Sequence, residues 1–202
     1  GLELRVPLAA GAAPVRGRWG MPRGWLAGAG GASAPPPAAL AGDVTGPHGS
    51  VYAAPQHGPM TIHNPSSSPA PTVNYARLPR VTFTSPALAA VGMTEADVLA
   101  SGIRCDCRVL PLKYVPRALV NRDTRGLIKI VVDADTGHIL GLTAVAKDAG
   151  ELAAAGVYIL EGGMTLEQVS RSWAPYLTMA EGIRIAAQSF TTDVSKLSCC
   201  AV

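Results

Sequence analysis

Two apolar runs, Leu127-Ile128-Lys129-Ile130-Val131-Val132 and His138-Ile139-Leu140-Gly141-Leu142-Thr143-Ala144-Val145, decide the fold of this chain. Both runs carry several β-branched residues, which favour strands. The segment between them, Asp133-Ala134-Asp135-Thr136-Gly137, is typical of a turn, because a glycine at its end tolerates positive φ. The stretch therefore predicts a β-hairpin.

Upstream of the hairpin, two further segments alternate as strands do. They are residues 80–84, which end before Pro86, and residues 104–110. Between them, Thr94 followed by Asp97 resembles a capping box, with aspartate in place of the usual glutamate. This arrangement predicts a short helix that ends near residue 102.

Downstream of the hairpin, three helices are expected. The first has apolar residues on one face from Leu152 to Leu160 and stops at a glycine pair, 162–163. The other two begin at capping boxes, one formed by Thr165 with Gln168 and one by Thr178 with Glu181. Strands followed by helices predict an α+β domain over residues 80–190, with an antiparallel sheet covered by helices on one face.

The N-terminal part of the chain has a different composition. Residues 1–79 hold 13 of the 17 prolines and 12 of the 22 glycines. Within residues 1–40, Ala, Gly, Pro and Arg supply 28 positions without any periodicity. We expect this segment to be disordered, or to be an out-of-frame reading of GC-rich DNA. Residues 41–79 are expected to form a linker, and residues 191–202 a mobile tail.

The charge pattern narrows the possible partners. The net charge of +3 lies entirely in residues 1–79, whereas residues 80–202 carry twelve basic and twelve acidic side chains. A neutral domain does not suggest a nucleic-acid partner. No apolar run is long enough for a membrane span, and no signal peptide is evident. We expect a reducing, cytoplasmic compartment.

Cys199 and Cys200 are adjacent near the C-terminus. A disulfide between neighbouring residues is strained, so the reduced dithiol is favoured. Two thiols without a histidine or carboxylate beside them suit a soft metal ion that is content with two sulfur ligands, and mercury(II) is the leading example. The alternative is a pair of incidental thiols.

Cys105 and Cys107 are separated by one residue, so on a strand both side chains point to the same face. Two interpretations stay open for them. They form a second thiol pair, or they are small apolar residues on a partly buried strand.

Tyr176 follows Pro175, which fixes the chain just before it. Its phenol is suited to offer a hydroxyl ligand or a hydrogen bond to a metal ion in transit. The alternative is a half-buried packing residue. Glu181 is interpreted as a helix cap.

Several motifs together resemble mercuric reductases, a branch of the flavoprotein disulfide reductases. The resemblance runs almost continuously through residues 80–202, the dimerisation domain of that family. The segments that carry it are Pro116-Arg117-Ala118-Leu119, Asp123-Thr124-Arg125-Gly126, Ala149-Gly150-Glu151-Leu152, Pro175-Tyr176-Leu177-Thr178-Met179-Ala180-Glu181-Gly182 and Leu197-Ser198-Cys199-Cys200-Ala201. Ala41-Gly42-Asp43-Val44 is similar to the last FAD-binding motif, so residues 41–79 also resemble the end of the family's FAD domain.

The resemblance implies reduction of mercury(II) to elemental mercury with NADPH and FAD. It implies that Asp43 contacts the flavin and that Cys199 and Cys200 collect mercury(II). It further implies that Tyr176 assists transfer of the ion to the partner subunit of a homodimer formed through residues 80–202.

The chain also departs from the family pattern. It contains no Cys-x-x-x-x-Cys motif and no Gly-x-Gly-x-x-Gly turn after a strand. We therefore expect the chain alone to be catalytically incomplete. The alternative hypothesis is a stand-alone module that binds soft metal ions and dimerises without catalysis.

Overall fold

The computed structural model describes residue 51, residues 53–57 and residues 74–196. The chain divides into two compact units, Gly1–Val73 and Asn74–Val202. In the first unit a helical turn covers 53–57, with Ala53 and His57 buried. All elements named below belong to the second unit.

A five-stranded antiparallel sheet forms the centre of the second unit. Its order is β1-β2-β5-β4-β3, and the strands are β1 (Arg80–Thr82), β2 (Ala87–Gly92), β3 (Cys105–Pro111), β4 (Leu127–Asp133) and β5 (Ile139–Ala146). The helices are α1 (Glu95–Ala100), α2 (Pro116–Val120), α3 (Ala149–Glu161), α4 (Leu166–Arg171) and α5 (Glu181–Gln188). Short 3₁₀ turns cover Tyr75–Arg77, Leu112–Tyr114 and Val194–Lys196. The predicted α+β class is confirmed.

The predicted hairpin is formed by β4 and β5. Gly137 has φ +74°, as the turn requires. The Asp133 carboxylate accepts hydrogen bonds from the backbone N–H groups of Asp135 and Thr136, at 2.9 and 3.3 Å. The turn is thus held by its own first residue, an arrangement common for aspartate.

One face of the sheet, which we call the core face, is covered over its centre. Ile128 pairs with Ala144 and Ile130 with Leu142, and all four side chains are buried. Helices α3 and α5 pack on this face. Gly182 of α5 approaches so closely that a Cβ atom there would lie 2.6 Å from Cδ1 of Ile128.

The opposite face, which we call the outer face, is only partly covered. Lys129 lies between Ile128 and Ile130 on β4 and therefore points away from the core face. Its Nζ atom is 2.5 Å from Oε2 of Glu95, the first residue of α1. The prediction that helices cover one face holds for α3 and α5, whereas the short helix α1 lies against the other face.

Strand β2 has no counterpart among the elements predicted from the sequence. Its sequence, Ala-Leu-Ala-Ala-Val-Gly, has a composition that favours helix more than strand. It forms a strand because it pairs with β5 along its whole length and buries Ala89 and Val91. Tertiary pairing has overridden local propensity.

Two of the three predicted capping boxes are present. Thr94 with Asp97 caps α1, and Thr165 with Gln168 caps α4. The third prediction is wrong for one of the two hydrogen bonds of a capping box. Thr178 Oγ1 accepts a hydrogen bond from the backbone N–H of Glu181, but the Glu181 side chain does not cap the helix. It is 2% exposed and pairs with Arg184 at 3.3 Å.

Both ends of the domain extend beyond the predicted strands and helices. At the start, Arg77 forms a salt bridge with Glu161 of α3. At the end, Val194 packs against the core. The mobile tail expected over residues 191–202 stays a prediction. Residues 197–202 lie outside the described part of the chain. Among the helices that are described, none is both long and apolar enough to cross a membrane.

Candidate functional site

Cys105 and Cys107 form the most distinctive polar cluster of the described domain. They lie on β3 opposite Asp133 and Val131, and both point to the outer face of the sheet. The thiol of Cys107 donates to Sγ of Cys105 across 4.0 Å, and both residues are partly buried free thiols. The structure therefore brings the two sulfurs together on a partly buried strand, and both interpretations of the pair stay open.

Glu95 completes this cluster from a different element. The capping box of Thr94 and Asp97 fixes the start of α1 and places Glu95 over β3 and β4. The carboxylate of Glu95 and the two sulfurs supply three ligand atoms that all lie within 4.8 Å of one another. We call Glu95, Cys105 and Cys107 the outer-face cluster.

The electrostatics of the cluster keep the Cys107 thiol protonated at neutral pH. The pKa of Cys107 is raised to about 11 by its burial, first of all, together with the neighbouring Cys105 and the Glu95 carboxylate, whereas the Lys129 charge opposes them. The hydrogen bond and charge of Lys129 lower the pKa of Glu95. The resting cluster thus combines a neutral Cys107 thiol with an ionised carboxylate paired to a cation.

The sequence alone indicated only the two cysteines of this cluster. The spacing of Cys105 and Cys107 places both on one face, but nothing near them in sequence points to Glu95 or Lys129. Glu95 and Lys129 are 34 positions apart and meet only through the sheet register and the angle of α1. A single sequence does not predict the contact between Glu95 and Lys129, because the contact depends on how the strands pair.

Tyr176 lies in the connection between α4 and α5. Its side chain is 57% exposed, and the preceding Trp173 is fully exposed. The connection is held by Thr178, whose hydroxyl donates to the carbonyl of Pro175 at 2.8 Å. The exposure of Tyr176 is thus compatible with both interpretations, a group that meets a metal ion and a half-buried packing residue.

The outer-face cluster and Tyr176 are carried by different elements of the domain. The cluster lies on the outer face, whereas the Tyr176 connection leads into α5, which packs on the core face. The other predicted site residues, Asp43, Cys199 and Cys200, lie outside the described residues. Their proximity to Tyr176 or to the cluster stays a prediction.

FAD and NADPH do not fit the described domain. A dinucleotide-binding fold requires parallel strands joined through a helix, with a glycine-rich turn at the helix N-terminus. All strand pairs formed by residues 74–196 are antiparallel. No chemical step is therefore assigned to a flavin or a nicotinamide in this part of the chain.

The domain matches a known protein family over nearly its whole length. Residues 78–187 match the family model described as the pyridine nucleotide-disulphide oxidoreductase dimerisation domain. This range coincides with the sheet and the helices packed on it, from just before β1 to the end of α5.

Curated relatives are similar to the chain over a longer stretch. A mercuric reductase of Streptomyces lividans is 50% identical over 161 residues, which is 80% of this chain and 34% of that protein. A mercuric reductase of Bacillus cereus is 45% identical over 161 residues, or 26% of its length. The chain thus spans about a third or less of these relatives.

Solved structures show the same fold. LpdA from Mycobacterium tuberculosis matches 76% of this chain and 34% of its own, with a TM-score of 0.69 and 24% identity. A Cu(II) complex of the HOCl-induced flavoprotein disulfide reductase RclA from Escherichia coli matches 75% of this chain and 34% of its own. Its TM-score is 0.67, with 26% identity.

Proposed function

The chain belongs to the pyridine nucleotide-disulphide oxidoreductases through their dimerisation domain, and from this premise we propose that it is the C-terminal portion of a mercury(II) reductase. The observation that carries the proposal is the 50% identity with the Streptomyces lividans mercuric reductase. In this role the chain contributes the subunit interface and captures mercury(II) for reduction.

We infer that Cys199 and Cys200 are the capturing residues. Thiolate sulfur is the ligand that soft cations prefer, and mercury(II) is satisfied with two of them. A two-coordinate ion accepts a third sulfur before it releases one, so it passes from one dithiol to another without being freed to water. Cytoplasmic conditions are part of this proposal, because both thiols have to stay reduced.

Tyr176 is proposed to assist the transfer of the ion to the partner subunit. Its exposure supports this role, because a phenol that is more than half accessible can reach a group outside its own domain. Thr178 and Pro175 hold the connection that carries it. Asp43 is proposed to contact FAD, as the resemblance implies.

The proposed partner is a second copy of the chain, bound through residues 80–202. Several large apolar side chains of the domain are exposed, including Trp173 at 102%, Tyr158 at 76% and Val120 at 59%. Exposed apolar side chains of this size favour protein–protein contact. Sedimentation velocity on the purified chain tests whether it dimerises. We expect the parent chain to be a dimer and the Trp173→Asp variant to be a monomer.

The capture role is tested by mercury(II) retention after gel filtration against a competing monothiol. The proposal expects that the parent chain retains the ion and that Cys199→Ser/Cys200→Ser retains at least one equivalent less. A Ser195→Ala/Ser198→Ala variant, altered in the same segment, serves as the control. Equal retention by the parent and the Cys199→Ser/Cys200→Ser variant would contradict the proposal.

The same proposal treats catalysis as the work of the whole reductase. The chain has no Cys-x-x-x-x-Cys motif that could receive electrons from a flavin. We therefore expect no mercury(II)-dependent oxidation of NADPH by the purified chain. The measurement is the loss of NADPH absorbance after mercury(II) is added. Such a loss would show that the chain is catalytically competent by itself.

A further inference from the structure

The outer-face cluster has the composition of a metal site that is separate from the C-terminal cysteines. We propose that Cys105, Cys107 and Glu95 bind a soft divalent cation as two thiolates and one carboxylate. The site is carried by the described domain alone, so it does not depend on the proposed delivery of mercury(II).

The distances fit three-coordinate or tetrahedral binding. Sulfur ligands about 2.3 Å from an ion and about 120° apart are separated by about 4.0 Å, whereas a linear arrangement separates them by about 4.6 Å. The two Sγ atoms are 4.0 Å apart. The pair is therefore set for a bent geometry, which leaves room for a third ligand.

Glu95 is placed to be that ligand. A carboxylate oxygen of Glu95 lies within 4.8 Å of both Sγ atoms. A carboxylate has two oxygens, so one can accept from Lys129 while the other binds an ion. Lys129 then orients the ligand and limits its freedom, as outer-shell partners of metal ligands commonly do.

The charges balance for a divalent ion. Lys129 neutralises Glu95 at 2.5 Å, and the two thiols lose one proton each to solvent when the metal–sulfur bonds form. The two resulting thiolates neutralise a doubly charged cation. No electron is transferred, and no further reactant is required.

The surroundings also provide access. Cys105 and Cys107 are partly exposed, and the side chain of Glu95 is 46% exposed. An ion can therefore enter from solvent and keep a water molecule or an exogenous thiol in its open position. Sulfur ligands select a soft cation such as cadmium(II), zinc(II) or mercury(II) over magnesium or calcium.

Cadmium(II) is the probe for the test, because its bonds to thiolates absorb in the ultraviolet. The full-length chain is used with Cys199→Ser and Cys200→Ser, which leaves Cys105 and Cys107 as its only thiols. We expect one cadmium(II) per chain and a charge-transfer band. In that chain, the further substitutions Cys105→Ser/Cys107→Ser should abolish the band. Glu95→Gln in the same chain should weaken cadmium(II) binding at least tenfold.

Asp106→Asn is the matched control. Asp106 lies between the two cysteines in sequence but points to the opposite face of β3, where it pairs with Arg108 at 2.9 Å. This variant should bind as tightly as its parent. The proposal is overturned if the chain with Cys199→Ser and Cys200→Ser gives no band although circular dichroism shows that it is folded. It is also overturned if Glu95→Gln and Asp106→Asn weaken binding equally.

Discussion

The two faces of the sheet differ in what they contain and in what they leave open. On the core face, Ile130 and Leu142 are buried beneath α3 and α5. On the outer face, Leu88 and Val109 are 42% and 50% exposed, and the thiols of Cys105 and Cys107 lie beside the Glu95–Lys129 ion pair. The core face stabilises the domain, and the outer face keeps its reactive groups accessible.

The largest expected effect compares one leucine from each face. Leu142→Ala should lower the free energy of unfolding by about 2–5 kcal/mol, because it removes a buried side chain and leaves a cavity. Leu88→Ala should cost less than about 1 kcal/mol, because that side chain already contacts water. Urea denaturation of both variants measures the difference, and equal costs would remove the distinction between the faces.

The next effect concerns the ion pair between Glu181 and Arg184 of α5. Arg184→Met should destabilise the domain by about 2–3 kcal/mol, because the buried Glu181 loses its cationic partner at 3.3 Å. Adding Glu181→Gln should recover part of this loss, since the remaining amide carries no charge. A thermal melt in which the double variant is no more stable than Arg184→Met would contradict this account.

A smaller effect tests how closely α5 approaches the sheet. Gly182→Ala should cost about 1–3 kcal/mol, because the new Cβ would lie 2.6 Å from Cδ1 of Ile128. Gly150→Ala in α3 is the matched control. Its Cβ would meet only Cγ1 of Val81 at 3.8 Å, so it should gain about 0.4–1 kcal/mol. An equal change in stability in both variants would contradict this account, because it would show that the close approach of α5 to Ile128 costs nothing.

The smallest effect concerns protonation on the outer face. The pKa of Cys107 is raised to about 11 from an ordinary value of 9.0, so its contribution to stability is complete below pH 9 and lost as pH rises towards 11. Glu95→Gln should lower the pKa of Cys107, because it removes a nearby negative charge. Alkylation of Cys107 between about pH 7 and about pH 10, measured by mass spectrometry, should therefore be faster in this variant than in the parent chain.

The control for this measurement is Glu167→Gln, which removes a carboxylate that pairs with Arg171 on α4. Alkylation of Cys107 should be unchanged in it. Equal acceleration by both variants would mean that overall charge, not the contact with Glu95, sets the reactivity of the thiol.

The sequence predicted the elements that carry their own local signals. The hairpin of β4 and β5 has β-branched strands and a glycine in its turn, and the caps of α1 and α4 are formed between residues three positions apart. Strand β2 was missed because its alanines carry no strand signal and its conformation comes from pairing with β5.

The candidate site divides in the same way. The shared face of Cys105 and Cys107 follows from the period of a strand, so the sequence predicted it. The contribution of Glu95 depends on where α1 lies, which the sequence did not reveal. Glu181 was interpreted as a cap because its spacing from Thr178 fits one, but burial against Arg184 prevailed.

The central claim is that the cysteine pair of residues 199 and 200 captures mercury(II). The most direct measurement adds mercury(II) below one equivalent, alkylates the free thiols and locates the protected cysteines by mass spectrometry. The account predicts protection of Cys199 and Cys200 first, because metal binding at Cys107 has to displace a proton held with a pKa of about 11. Protection of Cys105 and Cys107 while Cys199 and Cys200 are fully alkylated would contradict it.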